Sequence, residues 1–549
     1  MKRSICGFLA GMVFSLIFNS GVNAQANKEN EEQAPPKEWF ILDPTENRVQ
    51  GLSVEKAYNT ILKDKKSKTV IVAVIDSGVD IDHEDLKDKI WTNEKEIAGN
   101  GKDDDNNGYI DDKYGWNFIG GKDGNVEVDT YELTRVYVDL KSKYGDANPK
   151  KIKKNDKKEY EYWLKIKEDF EKQYEEAHQQ YVFYAGIRDN IIRFHNLLKA
   201  YLDVDTITMN DLRSINSSDS IVLTARNIIG SIYQNVGEDM DFGMITDELD
   251  EAVEHFGNQV NYAFNVDFDP RTVVGDNYAD PYEKGYGNND VKGHDPSHGT
   301  HVAGIIAANR NNDLGIKGIA NNVKIMAIRA VPDGDERDKD IANAIIYAVD
   351  NGAHIINMSF GKSYSPYKEA VDKAVKYAES KGVLLVHAAG NSSKDIDKKD
   401  NFPTRRYTES KAQASNWLEI GASAWGDDEN FVGEFSNYGR ETVDVFAPGV
   451  NIYSTTPDNN YESFNGTSMA APNTAGVAAL LMSYYPELSA FQVRDIITKS
   501  SRKFDKLKVT KPGKEDELVD FSDLSISGGL INAYEAVKMA ESMTLGKKN

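Results

Sequence analysis

Residues 69–75 read Thr-Val-Ile-Val-Ala-Val-Ile, an unbroken apolar run that is mostly β-branched. A strand with one wet face alternates apolar and polar residues, so a run apolar throughout marks a strand covered on both sides, as in a parallel sheet. Comparable runs recur at 324–330, 353–358, 383–387 and 418–422, with helical patterns at 341–351 and 368–381 between them and another at 52–62 before the first. Strand and helix alternating at this spacing predict an α/β fold: a doubly wound, mostly parallel sheet with helices on both faces.

That rhythm stops over 128–262. There, apolar residues recur at Trp163, Ile166, Phe170, Tyr174, Ala177, Tyr181, Tyr184, Ile187, Ile191, Phe194, Leu198 and Tyr201. Steps of three and four sustained over about five heptads predict one long amphipathic helix. Further helices are expected at 218–233 and 246–262, giving an α-helical hairpin or small bundle inserted into the core, with the tyrosines of the stripe as packing. The chain of 549 residues is thus divided into a first core part at 52–127, the insertion at 128–262, a second core part at 263–541 and a polar tail at 542–549.

The N-terminus reads as a secretory signal over 1–24: Lys2 and Arg3, an apolar run from Ile5 to Phe18, then Val22 and Ala24 as short side chains before the cut. The run is too short for a comfortable membrane span, so none is expected once the signal is removed. Residues 25–51 read as a polar leader, Pro-terminated at 36. The single cysteine, Cys6, falls inside the signal, so disulfides, thiol catalysis and cysteine-held metal are excluded from the rest. A net charge of -23 argues against nucleic acid or an anionic membrane as partner.

Four short segments carry chemistry. Asp76 follows the first apolar run directly and opens the turn Asp76-Ser77-Gly78, at the end of a strand where doubly wound folds gather their reactive groups. His298 begins His298-Gly299-Thr300-His301, whose glycine leaves the ring open to a cleft. The two histidines could instead hold a metal, but no third ligand motif and no following glutamate accompanies them. Ser468, in Asn465-Gly466-Thr467-Ser468-Met469-Ala470, falls at the start of a small-residue helix, where free N–H groups and the positive dipole end face developing negative charge. Asn391 closes the string Ala388-Ala389-Gly390-Asn391. Each segment alone has an ordinary explanation as a turn or a helix cap.

Together they are similar to the subtilisin-like serine peptidases, the subtilases, over residues 52–126 and 265–537. The resemblance implies an exported serine endopeptidase that needs no cofactor for catalysis and acts on proteins or peptides through an acyl-enzyme. Ser468 would be the nucleophile, His298 the general base and then acid, Asp76 its orienting partner and Asn391 an oxyanion donor. It further implies that Ser359, Phe360 and Gly361 pair with the substrate backbone, and that Ala388, Ala389 and Gly390 wall the primary specificity pocket. Lys362, a departure from the family pattern, is expected to alter preference at the pocket rim.

Structural calcium is expected at two places. Asp103, Asp105, Asn107, Gly108 and Asp111 match positions 1, 3, 5, 6 and 9 of a calcium-loop pattern whose twelfth position is here Tyr114 rather than Glu. By resemblance, Asp85 and Asn312 match ligands of the family's tight site. Two departures qualify the analogy. The fifty or so residues between the expected signal cut and Asp76 are too few for a folding prodomain, so folding without one is expected. The insertion separates Asp76 from His298 and is expected to overhang the cleft or dock a partner. Removing 128–262 and assaying protein and short-peptide substrates would separate those roles. The rival readings are a binding or adhesion protein on a peptidase scaffold, and a metallopeptidase.

Overall fold

A computed structural model describes residues 35–236 and 242–545; the expected signal, the first ten residues of the expected leader and the last four residues of the tail lie outside them. The described chain divides into two compact units, 35–132 with 269–545, and 133–268.

The larger unit is built on a nine-stranded sheet. Its strands are β1 (Val70–Asp76), β2 (Gly115–Asn117), β3 (Val323–Arg329), β4 (Ile355–Met358), β5 (Leu384–Ala388), β6 (Trp417–Ser423), β7 (Val445–Pro448), β8 (Arg502–Lys503) and β9 (Gly529–Leu530). Their spatial order is β8-β9-β7-β6-β5-β4-β1-β3-β2, parallel throughout except for the β8–β9 pair at one edge. The apolar run that predicts β1 sends its side chains to opposite faces in turn. Val70, Val72 and Val74 join one core, packed beneath helices α1 (Ser297–Ala307), α4 (Thr467–Tyr484), α5 (Ala490–Lys499) and α6 (Ala533–Leu545). Ala73 and Ile75 join the other, beneath α2 (Asp338–Asp350) and α3 (Lys368–Ser380). Both faces are therefore dry, which is why no polar residue interrupts the run.

β1 has β3 on one side and β4 on the other, with registers Asp76–Arg329 and Ile75–Met358. The chain runs from β1 towards one edge and later fills the other from β4 onward. This reversal is the topological switch point at which an open α/β sheet leaves a crevice beyond its strand ends. The carboxyl ends of β1, β4 and β5 deliver Asp76, Ser359 and Asn391 to that crevice.

The segment read as leader is less polar in place than its composition suggests. Trp39, Phe40 and Ile41 form a short 3-10 turn that is wholly buried. Trp39 meets the Trp425 ring edge-on at 6.3 Å and donates its indole N–H to the Asn451 carbonyl at 3.1 Å.

The 133–268 unit has its own core. Its 46-residue helix, Lys157–Leu202, packs against helices Ser220–Val236 and Phe242–Asn258, burying Tyr184, Ile187, Ile191, Leu198, Ile229 and Leu249 among others. A capping box between Thr208 and Asp211 starts a short helix on the return. Tyr174 and Tyr201, on the predicted stripe, remain 37% and 46% exposed. A straight helix drifts about 20° per heptad from a strict 3.5-residue repeat, so a stripe this long slides off a fixed partner.

Candidate active site

Asp76 is 2% exposed at the end of β1. Its Oδ1 accepts hydrogen bonds from the Ser77 N–H at 2.8 Å and from His298 Nδ1 at 2.7 Å. The approach depends on Gly299: a Cβ there would fall 2.0 Å from the Gly78 carbonyl oxygen. Only glycine lets the first turn of α1 settle against the Asp76–Gly78 turn. A carboxylate at Nδ1 fixes the proton on that nitrogen and leaves the Nε2 lone pair free. Burial pulls the His298 pKa down, but the neighbouring Asp76 charge and its hydrogen bond more than offset this, so the net shift is upward. The ring is open on its other edge, 39% of the side chain being exposed.

His301, one helical turn on, has partners of its own. It is fully buried, stacked 4.3 Å from the Phe464 ring, with Nε2 bonded to the Glu462 carbonyl at 3.1 Å. Burial lowers its pKa to about 3. Its Nε2 is thus committed to a backbone carbonyl inside the packed core.

Ser468 is half-buried in the first turn of α4. Its N–H is among the donors that helix geometry leaves without an intrahelical acceptor. Its hydroxyl donates to the Ser359 carbonyl at 3.1 Å, while the Ser359 hydroxyl, bonded by Asn357 Nδ2 at 2.9 Å, donates back to the Ser468 carbonyl at 2.8 Å. The ends of β4 and α4 are thus laced together.

Asn391 is exposed three residues beyond β5. Its Oδ1 accepts from the Thr467 N–H at 2.9 Å and the Thr467 hydroxyl at 2.8 Å. The amide nitrogen lies beside the Gly466–Ser468 turn, where a Cβ built on Gly466 would fall 3.5 Å from it and 3.5 Å from the Ser468 nitrogen. The Thr467 hydroxyl also accepts from the Gly390 N–H at 3.0 Å. Gly390 has φ +98°, and a Cβ there would lie 2.5 Å from Asn437 Nδ2, so the turn after β5 requires glycine at this point. Asn401 and Asn437 side-chain amides pin the Ala388 and Ala389 carbonyls at 3.2 and 2.7 Å.

Along Ser359-Phe360-Gly361 the carbonyls alternate. That of Ser359 faces Ser468, and that of Phe360 faces the other way, to His387 Nε2 at 2.9 Å. His387 is buried, and its Nδ1 meets Glu419 Oε1 at 2.9 Å. Glu419 Oε2 in turn accepts the Trp417 indole N–H at 2.8 Å. The sequence assigns no role to His387 or Glu419, although a carboxylate inside the apolar β6 run is a readable signal. Lys362 departs from expectation. It is 5% exposed and turned inward, with Nζ bonded to Glu132 Oε2 at 2.7 Å, the Glu336 carbonyl at 2.6 Å and Asp338 Oδ1 at 2.8 Å. A buried ammonium needs such partners, and it leaves the pocket rim without this charge.

The calcium candidates fall into separate places. Asp85 is 1% exposed; its Oδ1 accepts from Asn312 Nδ2 at 2.8 Å and the Asn309 N–H at 3.1 Å. In the acidic loop, Asp103 accepts the Asn107 and Gly108 N–H groups, and Asp111 accepts those of Asn100 and Gly101. Asp105 accepts the Asn107 N–H through Oδ1 and is gathered with Glu96 and Asp112, whereas the Asn107 amide nitrogen donates to Asp112.

Residues 67–521 match the peptidase S8 subtilase family, and the chain belongs to that family. It is 45% identical over 188 residues to a thermophilic serine proteinase of Bacillus sp. (strain AK1), covering 34% of this chain and 43% of that protein. It is 41% identical over 208 residues to subtilisin DY of Bacillus licheniformis, covering 37% of this chain and 70% of that one. The match therefore spans under half the length of the first relative. Among the described residues, no helix is long and apolar enough to cross a membrane.

Proposed function

We propose that this chain is an exported serine endopeptidase in which Asp76, His298 and Ser468 form the triad. The observation that carries the reading is the 2.7 Å bond from His298 Nδ1 to the buried Asp76 carboxylate, which fixes the base-competent tautomer at the mouth of the crevice. Rotation about the Ser468 Cα–Cβ bond takes its hydroxyl from the Ser359 carbonyl towards His298; hydrogen bonds of this kind often form only once substrate is bound. The Ser468 oxygen then bonds to the scissile carbonyl carbon as its proton passes to Nε2. The C–N bond breaks as that proton moves to the leaving amine, and water releases the ester by the same steps.

Two donors receive the oxyanion, the Asn391 amide nitrogen and the Ser468 N–H. Substrate pairs in extended form with the Ser359 carbonyl and with Gly361, the two backbone positions that the alternation leaves on the cleft side. The small wall of Ala388, Ala389 and Gly390 favours large apolar side chains before the cleaved bond. Structural calcium accompanies this reading. Asp85 would hold it with Asn312 turned to present its oxygen, and the acidic loop that carries the pattern residues Asp103, Asp105, Asn107 and Asp111 offers a second place.

A serine-directed fluorophosphonate should label Ser468 and stop hydrolysis, with calcium present throughout. Hydrolysis that persists in fully labelled protein, or that stops only on chelation, would return the metallopeptidase reading. Asn391→Leu keeps the side-chain shape and removes one donor. It should lower kcat by about 10²–10³-fold with KM little changed, the effect known for the oxyanion asparagine of subtilisin. A change confined to KM would place Asn391 outside the transition state.

A further inference from the structure

We propose that Glu96, Asp105 and Asp112 form a site for a divalent cation of the calcium class. One carboxylate oxygen from each lies within 4.8 Å of the others. Oxygens bound to a common calcium at 2.3–2.6 Å lie at most about 4.6–5.2 Å apart, so the cluster has the size of a single coordination shell. Glu96 is 3% exposed; its Oε1 accepts the Asp104 and Asp105 N–H groups at 2.9 and 3.3 Å. Its Oε2 is buried and has no hydrogen-bond partner. A buried carboxylate oxygen with no donor is expensive, and a cation supplies what the protein does not.

The surrounding groups hold the acids in place without neutralising them. Asn93 Nδ2 donates to Asp105 Oδ2 at 3.2 Å and to Asp112 Oδ1 at 3.0 Å. Asn107 Nδ2 and the Tyr347 hydroxyl donate to Asp112 Oδ2 at 2.9 and 2.7 Å. Lys113 bonds the backbone carbonyls of Asn93 and Glu96, and among the described residues no Lys, Arg or His is ion-paired with any of the three acids. The proposed ion would tie the 93–112 loop to α2 through Tyr347, just before edge strand β2. The site shares Asp105 with the calcium-loop pattern but replaces the rest of its ligand set.

The test uses the full chain carrying Ser468→Ala, to prevent self-digestion, with calcium titrated by calorimetry and Tm read with calcium or with chelator. Glu96→Gln keeps the acceptor for the two N–H groups and puts an amide where Oε2 was; Asp112→Asn is the second variant. Each is expected to lower calcium stoichiometry by one per chain and to lose part of the calcium-dependent rise in Tm. Full stoichiometry in both variants would overturn the proposal. Loss in Asp103→Asn and Asp111→Asn with Glu96→Gln unaffected would overturn it in favour of the loop pattern. No calcium uptake by the parent would overturn both.

Discussion

Ser468→Ala is expected to lower peptide hydrolysis by about 10⁶-fold in kcat while substrate binding and fold are retained. The magnitude is the one known for subtilisin, where loss of the serine or the histidine alone removes nearly all that the triad supplies and leaves a residue of catalysis from the oxyanion donors. The fold should tolerate the change because the Ser468 hydroxyl makes one hydrogen bond, to the Ser359 carbonyl, worth roughly 0.5–1.5 kcal/mol. The reciprocal bond from the Ser359 hydroxyl to the Ser468 backbone survives, as does the apolar packing of α4. The same variant separates the enzyme from a binding protein on a peptidase scaffold. A binder would hold its partner equally well with either side chain and show no hydrolysis to lose. A library of peptides digested by the wild type and by Ser468→Ala, with Kd measured alongside, reads both quantities. Hydrolysis by the variant within tenfold of wild type would remove Ser468 from the chemistry.

How much of this was legible in the sequence follows from what each feature depends on. β1 is apolar because both of its faces are covered, so a local pattern reports a global fact, and the neighbouring runs predict β3 to β6 for the same reason. Edge strands β2, β8 and β9 have two or three residues each, too few to show a period, and exist because a neighbour offers hydrogen bonds. Helix Glu132–Tyr144 is hard to read from sequence because it opens the stretch where the strand signal simply fades. In the site, Asp76, His298, Asn391 and Ser468 stand in short strings whose glycines carry a backbone requirement, and that requirement is readable. What Lys362 does is not. A lysine after Gly361 suggests a charged rim until the fold supplies Glu132 and Asp338, which lie far off in sequence, as a buried cage. Glu96 and Asp112 were invisible for a related reason: the loop pattern ranks residues by spacing, whereas the cluster is chosen by which carboxylates the folded loop turns inward.

Asp76→Ala is expected to lower kcat by about 10⁴-fold, the scale known for the aspartate of subtilisin, and to move the acid limb of the residual activity to lower pH. As the proposed base, His298 would work only when neutral, so kcat/KM is expected to rise with pH through its folded pKa. In the wild type, burial pulls that value down and the Asp76 charge and hydrogen bond raise it further than burial lowers it, placing the limb above the ordinary imidazole value of about 6.5. Removing the carboxylate leaves burial unopposed by its main counterweight, so the limb should fall. It also frees Nδ1 from its acceptor, and the ring can then carry its proton on Nε2, where it cannot act as a base. The sign for stability runs the same way. A histidine whose folded pKa exceeds its unfolded one contributes stability in full below about 6.5, and that contribution is lost as pH rises through the folded value. The Tm difference between wild type and Asp76→Ala should accordingly be larger near pH 6 than near pH 9. A pH–rate profile and Tm measured across the same range test both consequences. An acid limb that stays where it was would mean that Asp76 positions the ring without setting its protonation.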